Sequence, residues 1–283
     1  MKVYSLKFKD KKIKKKKVLV LVAATMMAVF VSAESKVEFA YEAGADVVSS
    51  YIWRGQYNGG LSFQPEGLVG FNALDEAIQF RAGVWANLGA SDWQWKANKG
   101  DGRGYTMFMP EVDFMASVTA YGASAGFTEY YYCDNGSTHQ SEVWVGYNFD
   151  HFFGVGAYIN WYTMVAGDDF VYDDNDVAHR AWSSYLELGY DYTFEDKGIT
   201  LGAQLGMSPW ASDVYGNEKF ALTNITLKIN KEWEFDVVTL DLYAQGTLNT
   251  DGLTTQTAFI GAAGEDKLYN QKLNAVLGLG IWF

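Results

Sequence analysis

From residue 236 to 247 the chain alternates with a period of two: Val238, Leu240, Leu242 and Ala244 fall on one face, Thr239, Asp241, Tyr243, Gln245 and Thr247 on the other. Side chains on a strand point to opposite faces in turn, so this segment predicts a strand with an oily side and a wet side. Residues 270–283 alternate as well, with Leu273, Ala275, Leu277, Leu279, Ile281 and Phe283 opposite Asn274, Val276, Gly278, Gly280 and Trp282. The same rhythm recurs at 40–55, 61–73, 77–89, 108–121, 124–133, 140–149, 152–164, 179–194, 198–208 and 219–230, which makes twelve predicted strands, an even number.

The links between these strands carry a second regularity. Counted from the first they run longer, short, long, short: 56–60, 74–76, 90–107, 122–123, 134–139, 150–151, 165–178, 195–197, 209–218, 231–235 and 248–269. Short turns on one rim and longer loops on the other are the habit of outer-membrane barrels, with the short turns facing the periplasm. No internal repeat, Pro-rich linker or shift of composition divides the chain, so one domain is expected over 34–283.

A soluble sandwich also alternates, with its apolar face turned inward. Two features favour lipid instead. Predicted strands of 10 to 16 residues exceed the five or six usual in soluble sheets and suit a bilayer, which a tilted strand crosses in roughly 9–11 residues. Aromatic residues also gather near predicted strand ends: Tyr51 and Trp53, Tyr147 and Phe149, Trp161 and Tyr162, Tyr190, Tyr192 and Phe194, and Trp282 and Phe283. Such clusters match the aromatic girdles of barrels at lipid–water interfaces. The expected fold is therefore all-β, a transmembrane antiparallel up-and-down β-barrel of about twelve strands.

Charge and export change the picture next. Residues 2–17 hold nine lysines and one aspartate and run into the uncharged stretch Val18–Val31, which ends in Val31-Ser32-Ala33. This is the pattern of a secretory signal peptide, with cleavage expected after Ala33. A lipid anchor would need a cysteine at that point, and Cys133 lies far downstream. Removing residues 1–33 turns 22 basic and 34 acidic residues into 13 and 33, a net charge of −20. So acidic a chain argues against a nucleic-acid partner, and a single cysteine excludes an internal disulfide framework.

The ending Gly278-Leu279-Gly280-Ile281-Trp282-Phe283 resembles the C-terminal signal by which the outer-membrane assembly machinery recognises barrels. Gly278, Ile281 and Phe283 are the matching positions, while Leu277 stands where a polar residue is often found. The resemblance implies the barrel-assembly machinery as a partner. Near the other end, Ser50-Tyr51-Ile52-Trp53-Arg54-Gly55 resembles the first-strand motif of porins of the TorF type, which implies a porin-like protein.

On the wet phase of the predicted strands lie Asp46, Arg54, Glu66, Arg81, Glu111, Asp113, Glu142, Glu187, Asp191, Lys228 and Asp241; the oily phase holds one exception, Glu129. Eight of those eleven are acidic, and inside a closed barrel their fields add, favouring a cation. Bulky Trp85, Trp144, Tyr130, Tyr158, Tyr162, Tyr185 and Tyr243 share that phase, so a constricted lumen is expected. A guanidinium can bind two carboxylates at once, which would let Arg54 and Arg81 fix the cross-section. Barrel-filling ion-pair networks are the plainer role for these charges; a selective path is the other.

Other chemistry is set aside. Asp168–Asp176 packs five aspartates into nine residues without the glycine and glutamate of a calcium loop, so a solvated acidic loop is expected. His139 and His179 fall near external strand ends and His151 in a periplasmic turn, with no serine motif nearby; an enzyme is not expected. Neither metal nor cofactor is called for, and Cys133 reads as an idle thiol. The expected function is a cation-preferring channel for passive diffusion of small solutes, set among the lipid and lipopolysaccharide of a Gram-negative outer membrane. The alternatives are a closed barrel whose loops, chiefly 90–107 and 248–269, bind as an adhesin or receptor would, then a lipid-modifying enzyme, then a soluble sandwich.

Overall fold

A computed structural model describes residues 37–74, 76–89, 109–133, 138–173, 175–249 and 273–283. The expected leader 1–33, the loop 90–107 and all but the first two residues of the loop 248–269 lie outside them. The strands are β1 (Glu38–Val48), β2 (Tyr51–Trp53), β3 (Gln56–Gly59), β4 (Ser62–Ala73), β5 (Ile78–Gly89), β6 (Met109–Ala120), β7 (Ala123–Tyr132), β8 (Thr138–Asn148), β9 (Ala157–Gly167), β10 (Phe170–Tyr172), β11 (Ala178–Arg180), β12 (Ser184–Phe194), β13 (Ile199–Ser208), β14 (Ala221–Glu234), β15 (Thr239–Asn249) and β16 (Leu273–Trp282).

Twelve of these close a barrel in the order β1-β16-β15-β14-β13-β12-β9-β8-β7-β6-β5-β4, each antiparallel to its neighbours; β2-β3 and β10-β11 form two small separate sheets. At the seam β1 pairs with β16 only from Gly44 to Val48, although it pairs with β4 from Glu38 to Val48. Past Gly44, Phe283 N–H donates to Ala43 O at 2.8 Å and Ala43 N–H donates back at 3.3 Å.

The faces are inverted relative to a water-soluble sheet. On β16, Leu273 and Leu277 are 66% and 64% exposed while Asn274 and Val276 between them are 2% and 5% exposed. On β14, Leu227 faces out and Thr226 is buried. A sheet in water covers its leucines; this one covers amides and hydroxyls and presents the leucines, as a closed barrel does when its surroundings are hydrocarbon. Inward glycines let aromatic rings lie flat on the wall. A Cβ on Gly189 would sit 2.0 Å from the Tyr158 ring, and one on Gly278 would sit 2.2 Å from the Tyr243 ring.

Four expected boundaries are corrected. The strand expected at 219–230 runs on to Glu234, so the turn expected at 231–235 lies at 235–238. The strand expected at 40–55 ends at Val48, and Tyr51–Gly59 folds back as the β2–β3 hairpin. Arg54 and Gly55 have φ of 48° and 86° between the paired Trp53 and Gln56, the positive values that a two-residue type I′ turn requires. Ser50–Gly55, which resembles a first-strand motif, thus lies beyond the first barrel strand. The strand expected from 152 starts at Ala157, because Asp150–Phe153 makes one helical turn closed by Gly154 at φ 60°. The strand expected from 179 starts at Ser184, because Ala178–Arg180 pairs with Phe170–Tyr172 instead.

The aromatic clusters divide accordingly. Tyr190 and Tyr192 face outward near the rim of short turns. Tyr51 and Trp53 leave the wall with the hairpin, Tyr162 turns inward onto Tyr185, and Trp282 lies against Gly44.

Candidate functional site

The β2–β3 hairpin crosses the bore. It leaves the barrel after β1, yet its tip reaches β8, which stands five strands away round one side and seven round the other. There Arg54 Nη1 and Nη2 donate to Glu142 Oε2 and Oε1 at 2.6 and 2.7 Å, and Nη1 donates again to the Tyr215 hydroxyl at 2.8 Å. Tyr130 donates its hydroxyl to Glu142 Oε1 at 3.0 Å. The guanidinium carbon stands 3.9 Å from the Tyr162 ring centroid, 4.5 Å from that of Trp53 and 5.0 Å from that of Tyr185. A desolvated guanidinium over ring faces gains about 2 kcal/mol. Only 9% of the Arg54 side chain and 1% of that of Glu142 is exposed.

Tyr215 comes from the β13–β14 loop, which folds into the barrel and stacks this ring on Trp53 at 5.9 Å and 13°. Gln56 Nε2 also donates to Val214 O at 2.7 Å. Side chains hold that loop in place. Ser183 donates its hydroxyl and its N–H to Asp169 at 2.5 and 3.0 Å, Ser212 donates to Ser183 Oγ at 2.7 Å, and Tyr215 N–H donates to Ser212 Oγ at 3.0 Å. A continuous run of hydrogen bonds thus leads from the β9–β12 connection to Arg54.

The remaining charges form two groups. In the half nearer the long loops Glu111 accepts hydrogen bonds from Tyr51 and Tyr132. Asp113 lies within electrostatic reach of Glu111 and Glu142, and its Oδ1 is buried without a hydrogen-bond partner among the described residues. In the half nearer the short turns Lys228 lies within reach of Asp46, Asp191 and Asp241 and 4.5 Å from the Tyr243 ring. Glu66 neighbours Asp46 and Glu42. Glu187 accepts from Asn160 at 3.1 Å and Gln204 at 2.5 Å.

Neither arginine bridges two carboxylates as expected. Arg54 spends its fork on both oxygens of Glu142. Arg81 donates to Asn72 Oδ1 at 2.7 Å and to the carbonyls of Phe80 and Phe71 at 2.9 and 3.3 Å; near the short turn joining β4 to β5, those oxygens are its nearest acceptors.

On the outer face Glu129 is partnered. His139 Nδ1 stands 2.6 Å from one of its oxygens, and the Ser141 hydroxyl donates to the other at 2.5 Å. Glu129 thus gathers a serine and a histidine. The carboxylate is the middle member of this trio, whereas a hydrolytic triad places the imidazole there to take the serine proton. The acidic run is also only partly solvated: Asp169 is fully buried on Ser183, and Asp173 accepts the N–H groups of Asn175 and Val177 at 2.9 and 3.0 Å.

Sequence reading missed Tyr215 and Trp53 as constriction residues, and the lining amides Gln64, Asn87 and Asn224. Gln64 donates to Asn87 at 3.2 Å, and Asn224 accepts from the Tyr185 hydroxyl at 3.0 Å. The available signal was a group of apolar and aromatic side chains, Trp210, Val214 and Tyr215, in one loop.

No family model and no curated protein matches the chain. Among solved structures it is similar to the KdgM porin, at 8% identity over 86% of this chain and 97% of that chain, TM-score 0.37. It is similar to Salmonella typhi OmpF in complex with daunomycin, at 10% identity over 88% and 98%, TM-score 0.37. It is also similar to a Pseudomonas aeruginosa FadL homologue, at 10% identity over 88% and 89%, TM-score 0.34. The closed strand order itself, rather than these likenesses, establishes the barrel.

Proposed function

We propose that the chain is a narrow channel in the outer membrane of a Gram-negative bacterium, passing small solutes by passive diffusion and preferring cations. The observation that carries this reading is a closed barrel, apolar outside, whose charged wall positions and hairpin tip include Asp46, Glu66, Glu111, Asp113, Glu142, Glu187, Asp191 and Asp241 against Arg54, Arg81 and Lys228. Low-dielectric walls focus the field of such charges along the bore. Outer-membrane lipid and lipopolysaccharide would surround the leucine belt, and the assembly machinery would read Gly278, Ile281 and Phe283. Reconstitution in planar bilayers tests the reading: discrete conductance steps with a cation-selective reversal potential are expected, weakened by joint neutralisation of Glu111 and Asp113. No steps across several preparations would discard it.

The packing of Trp53, Arg54 and Tyr215 across the outer half of the bore favours a second reading, a closed barrel that displays its loops to an external ligand. That reading expects no conductance in any variant.

A further inference from the structure

The surroundings of Arg54 are those of a bound ligand. Glu142 offers both oxygens to the guanidinium, Tyr162 and Tyr185 lie against it, the Tyr215 hydroxyl accepts a further N–H, and Tyr130 donates to the carboxylate. These five come from β7, β8, β9, β12 and the β13–β14 loop, all remote in sequence from the hairpin. The hairpin adds only Trp53 to the cage. A carboxylate fork combined with aromatic faces selects planar, delocalised cations over hydrated point charges, because the weakly hydrated guanidinium loses less on leaving water. Asp113, within electrostatic reach of Glu142 and with a buried oxygen that has no partner among the described residues, adds to the pull on a cation.

We propose that this cage is a receptor site for guanidinium-bearing solutes, occupied here by the chain's own Arg54 as a tethered stand-in. The solute class follows from the chemistry that holds the tether: a guanidinium group entering the bore competes with Arg54 for Glu142. The tether is short and local. Two paired strands and one turn carry it, so its withdrawal leaves the barrel wall intact. The inference rests on the channel reading for the solute's route, and its binding test does not depend on conductance.

Arg54→Gly is the variant of choice, since a residue at φ 48° in a type I′ turn is held more comfortably by glycine; Arg54→Asn, next best at positive φ, carries the same test if the glycine variant does not fold. Full-length barrel refolded in detergent is titrated calorimetrically with methylguanidinium chloride, with tetramethylammonium and sodium chloride as controls. Saturable methylguanidinium binding to the Arg54→Gly barrel is expected, weaker by about tenfold or more in the wild type and in Arg54→Gly/Glu142→Gln. Binding no stronger than that of the controls, or unchanged by Glu142→Gln, overturns the proposal. Planar-bilayer recordings of the same proteins separate the two readings. Binding without conductance sinks the channel and keeps the receptor site, while conductance without methylguanidinium binding does the reverse.

Discussion

Arg54 and Glu142 meet as a fork across the width of the barrel, two nitrogens on two oxygens at 2.6 and 2.7 Å, although 88 residues separate them in the chain. Removing one member leaves the other charged, buried and unpaired. Glu142→Ala is therefore expected to cost about 3–5 kcal/mol, and Arg54→Gly/Glu142→Gln, which removes both charges, is expected to cost less. Urea unfolding of the refolded barrels, followed by tryptophan fluorescence, measures the order.

Lys228 is the cation among Asp46, Asp191 and Asp241. If the bore conducts, Lys228→Gln raises cation preference and Asp241→Asn lowers it. Reversal potentials under a salt gradient should move in opposite directions for the two variants.

Leu277 stands on the outward belt with most of its surface exposed. Leu277→Arg places a charge against hydrocarbon and should destabilise the barrel by about 2–4 kcal/mol if the position lies near mid-bilayer. Leu277→Phe exchanges one apolar group for another and should insert normally. Folding yield into lipid vesicles distinguishes these from the behaviour of a soluble sheet, where the arginine would be the tolerated change.

Gly189 lies beneath the Tyr158 ring, and Gly246 has no atom within 4 Å of an added Cβ. Gly189→Ala should cost about 1–3 kcal/mol through overpacking, whereas Gly246→Ala should leave the unfolding midpoint unchanged. The contrast separates inward from outward glycines within one sheet.

Outside the barrel wall, the N–H groups of Val177 and Asn175, with His179, hold the Asp173 carboxyl below the usual aspartate range. A depressed value means that the carboxylate steadies the β10–β11 turn at every pH above the unfolded aspartate value, about 3.9. That contribution is lost as pH falls through the lower, folded value. Amide proton shifts of Val177 and Asn175 should stay constant from neutral pH down to that region and move together below it.

The strands were legible because lipid and water impose opposite demands on alternate residues, and a run such as Val238–Thr247 records both. The hairpin was not. Tyr51 and Trp53 resume the phase of Val47 after Ser49, and the hairpin depends on Arg54 adopting a positive φ that nothing local compels. Tyr215, Trp85 and Tyr130 stabilise that turn from a distance, and a contact between residues 54 and 215 leaves no trace in periodicity. Charges on the wall were placed by phase alone, but their partners were not: Arg81 finds Asn72 and backbone carbonyls, and Asp169 finds Ser183.

The unequal register around β1 has a mechanical consequence. Eleven Cα partners tie β1 to β4, and five tie it to β16. Under load or heat the wall is expected to part first along the shorter line, between Gly44 and Val48. A crosslink between Val47 and Leu279, which face each other there, should hold that line closed while leaving the hairpin free to withdraw from Glu142.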